Sequence, residues 1–271
     1  MIIKSGLRLL TLSAALTMAL APQASAEGLF GWVHGDWYLT LGGAGFVAPR
    51  FDGDNTYRMN FSPLVSLGKV GPEARFSSRN DNISIALLDT GAFRAGIAGK
   101  IIFERDSEDE DDLRGLDPIR FGGEAGAFAE IYPTDWLRLR GEVRHGIRSH
   151  EGIVGDVSLD AFADLTPAIR VSAGPRVSFA SADYFDAYYG VSAQESVASG
   201  LTEYKPGSGL KSAGIGAAIT WKTTDRITTS AFGEYQRLLG PAADSSLVNE
   251  RGSKNQFLFG LSATYRFNFQ L

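Results

Sequence analysis

The chain has three histidines, His34, His145 and His150. A serine hydrolase needs a serine and a histidine within hydrogen-bond reach, with an acid or amide orienting the ring. His150 with Ser149 or Ser181 is the one such set that can be assembled, and adjacency in a loop is slender support, so surface polar residues are expected there. A second cluster is the run from Glu104 to Asp112, which holds seven acids in nine residues. Such oxygens suit calcium or magnesium outside the cell. The run lacks the spaced ligands and turning glycine of a dedicated calcium loop, and a solvated, self-repelling loop is the expectation. No zinc-ligand spacing, Walker loop or dinucleotide fingerprint occurs, so neither a cofactor nor a metal centre is expected.

Most of the other charges alternate with apolar residues. Arg138, Arg140, Glu142, Arg144 and Arg148 alternate with Leu137, Leu139, Val143 and Ile147, and His145 falls on the apolar side. Arg94 and Lys100 oppose Phe93, Ile97 and Ile101. Arg120, Glu124 and Glu130 oppose Ile119, Phe121 and Ala127. Asp156, Asp160 and Asp164 oppose Val157, Leu159 and Ala163, and Arg170 and Arg176 oppose Ile169, Val171 and Val177. Glu234 and Arg266 follow the same rule. A period of two places each set on one face of a strand. Such strands, apolar on one side and charged on the other, are what a transmembrane antiparallel up-and-down β-barrel requires, with lipid outside and a polar lumen. The charges then have two possible uses. They neutralise one another in a network that closes the interior, which is the favoured reading, or they line a narrow pore.

Both ends of the chain agree with an all-β outer-membrane barrel. The last fifteen residues alternate through Phe257, Phe259, Leu261, Ala263, Tyr265, Phe267 and Phe269, as a final strand does. Residues 1–26 read as a signal peptide, with Lys4 and Arg8, an apolar run from Leu9 to Ala21, and Ala24-Ser25-Ala26 for cleavage. The barrel is then residues 27–271, and removing Lys4 and Arg8 leaves it with a net charge of about −7. An acidic balance argues against nucleic acid as a partner. The absence of cysteine leaves stability to the strand ladder.

Alternation predicts twelve strands, the weakest at Glu73 to Ser78 and Asn82 to Leu88, with ten or fourteen as alternatives. An even number returns both ends to the periplasmic side. It also sorts the connections, with short turns such as Pro133 to Asp135 and Leu165 to Pro167 on the periplasmic side. The long segments Glu104 to Pro118, Ser181 to Ser208 and Gly240 to Lys254 fall outside. Pro63 and Pro175 lie within predicted strands and remove ladder donors. The aromatic segment Tyr184 to Val191 is expected to pack over the barrel mouth.

Several segments carry a family resemblance. Asp183 to Val191, Tyr204, Gly207 to Lys211, Tyr235 to Val248, and Gly252 to Phe257 closing on Tyr265-Arg266-Phe267 resemble, in order, the MltA-interacting protein/OmpV family of outer-membrane proteins. The tail Asn268-Phe269-Gln270-Leu271 departs from the family's aromatic finish. The resemblance implies a non-enzymatic barrel with a structural or surface-interaction role. It implies as partners outer-membrane lipid and lipopolysaccharide, the barrel-assembly machinery during biogenesis, and, for some members, periplasmic murein enzymes brought together on a scaffold. No catalytic residue carries over.

Overall fold

The computed structural model describes residues 34–70, 76–78, 81–107 and 110–270. Asp36–Gln270 form a closed barrel in which β1 (Asp36–Pro49) pairs with β11 (Asn255–Gln270) to complete the circle. Between them run β2 (Tyr57–Lys69), β3 (Ile83–Asp89), β4 (Phe93–Ile102), β5 (Gly122–Thr134), β6 (Leu137–Ile147), β7 (Ile153–Thr166) and β8 (Ile169–Ala180). Helices α1 (Ala182–Tyr189) and α2 (Ala193–Ser199) follow, then β9 (Gly209–Lys222), β10 (Ile227–Leu238), α3 (Gly240–Asp244) and α4 (Ser246–Arg251).

The alternation sets the wall inside out relative to a soluble barrel. On β6, Arg138, Arg140, Glu142 and Arg144 are buried, whereas Leu139, Val143, His145 and Ile147 are exposed. The exposed outer surface is apolar across the wall, through Ile97, Val157, Ile215 and Leu261. Rings gather at its two borders. Phe103, Phe121, Phe179 and Phe257 lie toward the long loops, and Trp136, Trp221, Phe267 and Phe269 toward the short turns. A strand pattern of this kind satisfies backbone polar groups in the ladder and offers mostly apolar side chains to lipid.

The described wall has eleven strands rather than twelve, and one boundary is parallel. Residues 73–75 of the expected third strand lie outside the described residues, and Phe76 to Ser78 are not in a strand. Those residues stand inside the barrel. Phe76 stacks on Phe162 of β7 at 4.5 Å and its carbonyl accepts from the Tyr132 hydroxyl of β5. Farther along, Asn82 donates to Glu142 of β6, closer to the loop end. This luminal strap therefore climbs the interior, and β3 enters the wall running back toward the turn end, as β2 does. That is why Ser66 and Leu67 pair with Ser84 and Ile85 in parallel.

Pro175 acts as expected of a residue without an N–H. The β7–β8 ladder skips between the Ser158–Arg176 and Ala161–Ala173 pairs. Glycine is needed where strands approach closely: a Cβ on Gly126 would lie 2.0 Å from the Val143 carbonyl oxygen. Gly126→Val is expected to abolish the heat-modifiable folded band on gels, since the clash is with backbone that cannot move aside.

Candidate functional site

The buried charges of β4 to β8 meet in one continuous ladder. Arg138 lies at its centre. Its Nη1 and Nη2 donate to the two carboxylate oxygens of Asp81 on the strap at 2.7 and 2.8 Å, Nη2 also donates to Asp160 at 2.7 Å, and Nη1 to Glu130 at 3.3 Å. Phe76 covers its face at 4.9 Å. Arg140 bonds Glu130 at 3.0 Å and Glu142 at 2.7 Å while lying 4.1 Å from the Phe128 ring. Arg144 reaches Glu142 at 2.5 Å, Glu124 at 2.8 Å and Asp156 at 2.6 Å. Toward the turns, Arg94 pairs with Glu130 at 2.6 Å and Asp89 at 3.3 Å. Arg176 binds Asp160 at 2.5 Å and Ser78 of the strap at 3.3 Å.

The ladder accounts for Arg94, Glu124, Glu130, Arg138, Arg140, Glu142, Arg144 and Arg176. The remaining expected members stand apart from it. Arg170 pairs with Asp164 at 2.7 Å near a turn. Arg266 bonds Asn268 at 3.0 Å and lies over Tyr38, and Glu234 accepts from Gln236. Lys100 keeps its place on the luminal face but is exposed. Arg120 does not, because β5 starts at Gly122 and leaves it exposed in the preceding loop. Alternation did not reveal Asp81 and Asn82, since the strap follows no period.

His150 is buried rather than a surface residue. Its Nδ1 accepts from the Gly152 N–H at 3.2 Å, which leaves Nε2 to bond Glu124 at 3.2 Å, and Tyr184 and Tyr188 meet the ring edge-on. Ser181 Oγ accepts instead from the Ile153 N–H at 2.9 Å. Both ring nitrogens are thus occupied without a serine, and the nucleophile and base of a hydrolase are not brought together.

The loops after β1, β4, β8 and β10 assemble a cap. Tyr184, Phe185 and Tyr189 of α1 pack with Leu238, Ala242 and Val248. Phe51, Leu113, Leu116, Val191, Leu201 and Leu247 form a second core. Helix α2 starts at a capping box of Ser192 and Glu195, a serine-x-x-glutamate spacing that the sequence displays. The acidic run is also recruited: Arg50 bonds Asp54 and Asp112 at 2.5 Å each and pairs with Glu110 as well. Among the described residues no cluster suited to a metal ion occurs. Lys211 binds Asp52 at 2.8 Å, and its ammonium holds the Asp52 carboxyl below the usual range against the opposing effect of burial.

A family model for MltA-interacting protein MipA matches residues 41–267. The chain belongs to the MipA family. It is accordingly a β-barrel protein of the bacterial outer membrane, and the apolar outer face is its lipid contact. Curated proteins give no match. Among solved structures, Pseudomonas putida OprB is similar at 13% identity and TM-score 0.37, over 68% of this chain and 47% of that one. A Pseudomonas aeruginosa FadL homologue is similar at 10% identity and TM-score 0.36, covering 85% and 90%. The P. aeruginosa outer membrane protein OprG gives 9% and 0.26, covering 86% and 97%. This chain thus spans about half the length of OprB.

Arg138→Ala leaves three carboxylates without their shared partner and should cost about 3–5 kcal/mol in urea unfolding of the refolded barrel. Arg170→Ala, at an exposed pair, should cost about 1 kcal/mol or less. For the cap, a lowered Asp52 pKa gives stability that is fully present above about pH 4 and lost as pH falls further. Protease sensitivity of the loops should therefore rise below that pH, and Asp52→Asn should remove the dependence.

Proposed function

We propose that this MipA-family member is a non-enzymatic barrel with a structural or surface-interaction role, closed to solute and presenting its cap outside the cell. The observation that carries the reading is the occupied interior. The strap is fastened to the wall by Arg138, Glu142 and Arg176, and the cap stands over the loop end. The short turns then face the periplasm, and a leader over residues 1–26 suits that route. Lipid and lipopolysaccharide surround the wall, and the barrel-assembly machinery inserts it.

A narrow pore is the second reading. It is favoured by the small luminal residues Gly214, Gly216 and Ala218 of β9 opposite the strap, and by a small cavity lined by Ser78, Ser172, Arg176, Phe232 and Glu234. The family's name brings a third, contact with a murein enzyme from the periplasmic side. Turns as short as Asp135–Trp136 and Pro167–Ala168 offer little area for stable binding.

Single-channel recording of refolded protein in a planar bilayer separates the first two, with heat-modifiable migration confirming the fold. The wild type should be silent, and Asp81→Asn with Asn82→Ala, which releases the strap, should produce open steps. Stable openings in the wild type would establish the pore instead.

A further inference from the structure

The wall is not closed evenly. Between β2 and β3 only Ser66 with Ser84 and Leu67 with Ile85 are in register, whereas the other boundaries are laddered over most of their length. β3 starts at Ile83, opposite Gly99. Toward the loop end, residues 57–65 of β2 and 100–102 of β4 therefore have no strand between them among the described residues. The gap is a window. Its floor is the Ser66–Ser84 bridge, and its roof is the Arg58–Glu110 ion pair at 3.1 Å. On the lipid side Met59 and Phe61 are 80% and 72% exposed, more than any other apolar side chain in the strands, and Ile101 and Phe103 are exposed across from them.

Behind the window stand two cations, Lys100 and Arg105. Lys100 stands at its edge on the luminal face and is exposed. The Arg105 guanidinium lies 5.8 Å from the Phe51 ring and 5.5 Å from that of Tyr188. Among the described residues neither cation forms an ion pair. Both act electrostatically on Asp52, which is already taken by Lys211 at 2.8 Å. The Asp52 side chain is 53% exposed. The hydroxyl of the fully buried Tyr189 lacks a partner. Lys100 also stands opposite Glu124 across the β4–β5 pair and Lys211 also acts on Asp156, so Arg105 is the cation of the three least matched by carboxylates.

Unpaired strand edges cannot face hydrocarbon unless something polar reaches them. Addition of a partner strand is disfavoured because Pro63 sits in the β2 edge without an N–H and because it would leave the Arg105 guanidinium without an ion pair among the described residues. We infer that the window admits an anionic amphiphile from the outer leaflet. Its phosphate or carboxylate head sits on Arg105 and Lys100, and its acyl chain lies along Met59, Phe61, Ile101 and Phe103.

The test is native mass spectrometry of the refolded full chain in a neutral maltoside detergent, titrated separately with dodecyl phosphate, inorganic phosphate and dodecanol. One dodecyl phosphate should bind per barrel, while the other two bind far more weakly. Lys100→Gln and Arg105→Gln, each with unchanged heat-modifiable migration, should weaken dodecyl phosphate by about tenfold, the loss of one charge-assisted bond. An acyl-diazirine analogue on the wild type should label residues 57–65, a readout independent of the variants. Equal binding of inorganic phosphate would mean a free-anion site, and equal binding of dodecanol a merely greasy one. Either result overturns the proposal, as does labelling elsewhere or unchanged affinity in both folded variants.

Discussion

Arg138 is the residue on which the interior depends. A guanidinium removed from water needs carboxylates on every donor edge, or its desolvation outweighs what it gains. Here Glu130 comes from β5, Asp160 from β7 and Asp81 from the strap, so one side chain ties two neighbouring strands and the inner segment to β6. Arg140 and Arg144 continue the arrangement toward the loop end, where Glu124 passes it to His150 beneath the tyrosines of α1. Lumen and cap are therefore electrostatically and sterically continuous. The apolar exterior places no demand on this network beyond keeping the charges inside.

Much of the wall was legible because a strand between lipid and a polar lumen has to alternate. β6 shows this most plainly, with each charge from Arg138 to Arg144 inward and each apolar neighbour outward. The family assignment expected from Tyr235 to Val248 and the segments around it is also the one the family model supports over residues 41–267. What alternation cannot reveal is a segment with no ladder of its own. Phe76, Asp81 and Asn82 pair with no strand and are held by side chains roughly sixty to ninety places later in the chain. Of the expected third strand, the described residues Phe76 to Ser78 lie in no strand and stand inside the barrel. Likewise the cap needs long-range partners: Glu110 and Asp112 look like a self-repelling run until Arg50 is brought beside them.

The strap also explains the unevenness of the wall. With the strap inside the barrel, β3 is short and its pairing with β2 parallel and brief, which opens the space beside Lys100. Filling part of the interior and interrupting the wall are two consequences of one change in chain path. Strand edges that face lipid are otherwise eliminated by closure, so a break of this kind marks a place where polar groups come into play.

Residues 76–78 and 81–82, between β2 and β3, lie in the lumen along β5 to β7. Because the protein has no cysteine, paired substitutions report on this without interference. The decisive measurement is cross-linking of Phe76→Cys with Phe162→Cys by a short thiol-specific reagent in intact outer membranes. The account predicts efficient intramolecular linkage, and a control pairing Phe76→Cys with the outward Val157→Cys should give none. Failure of the first pair to link in a folded barrel, or linkage of the control instead, would contradict it.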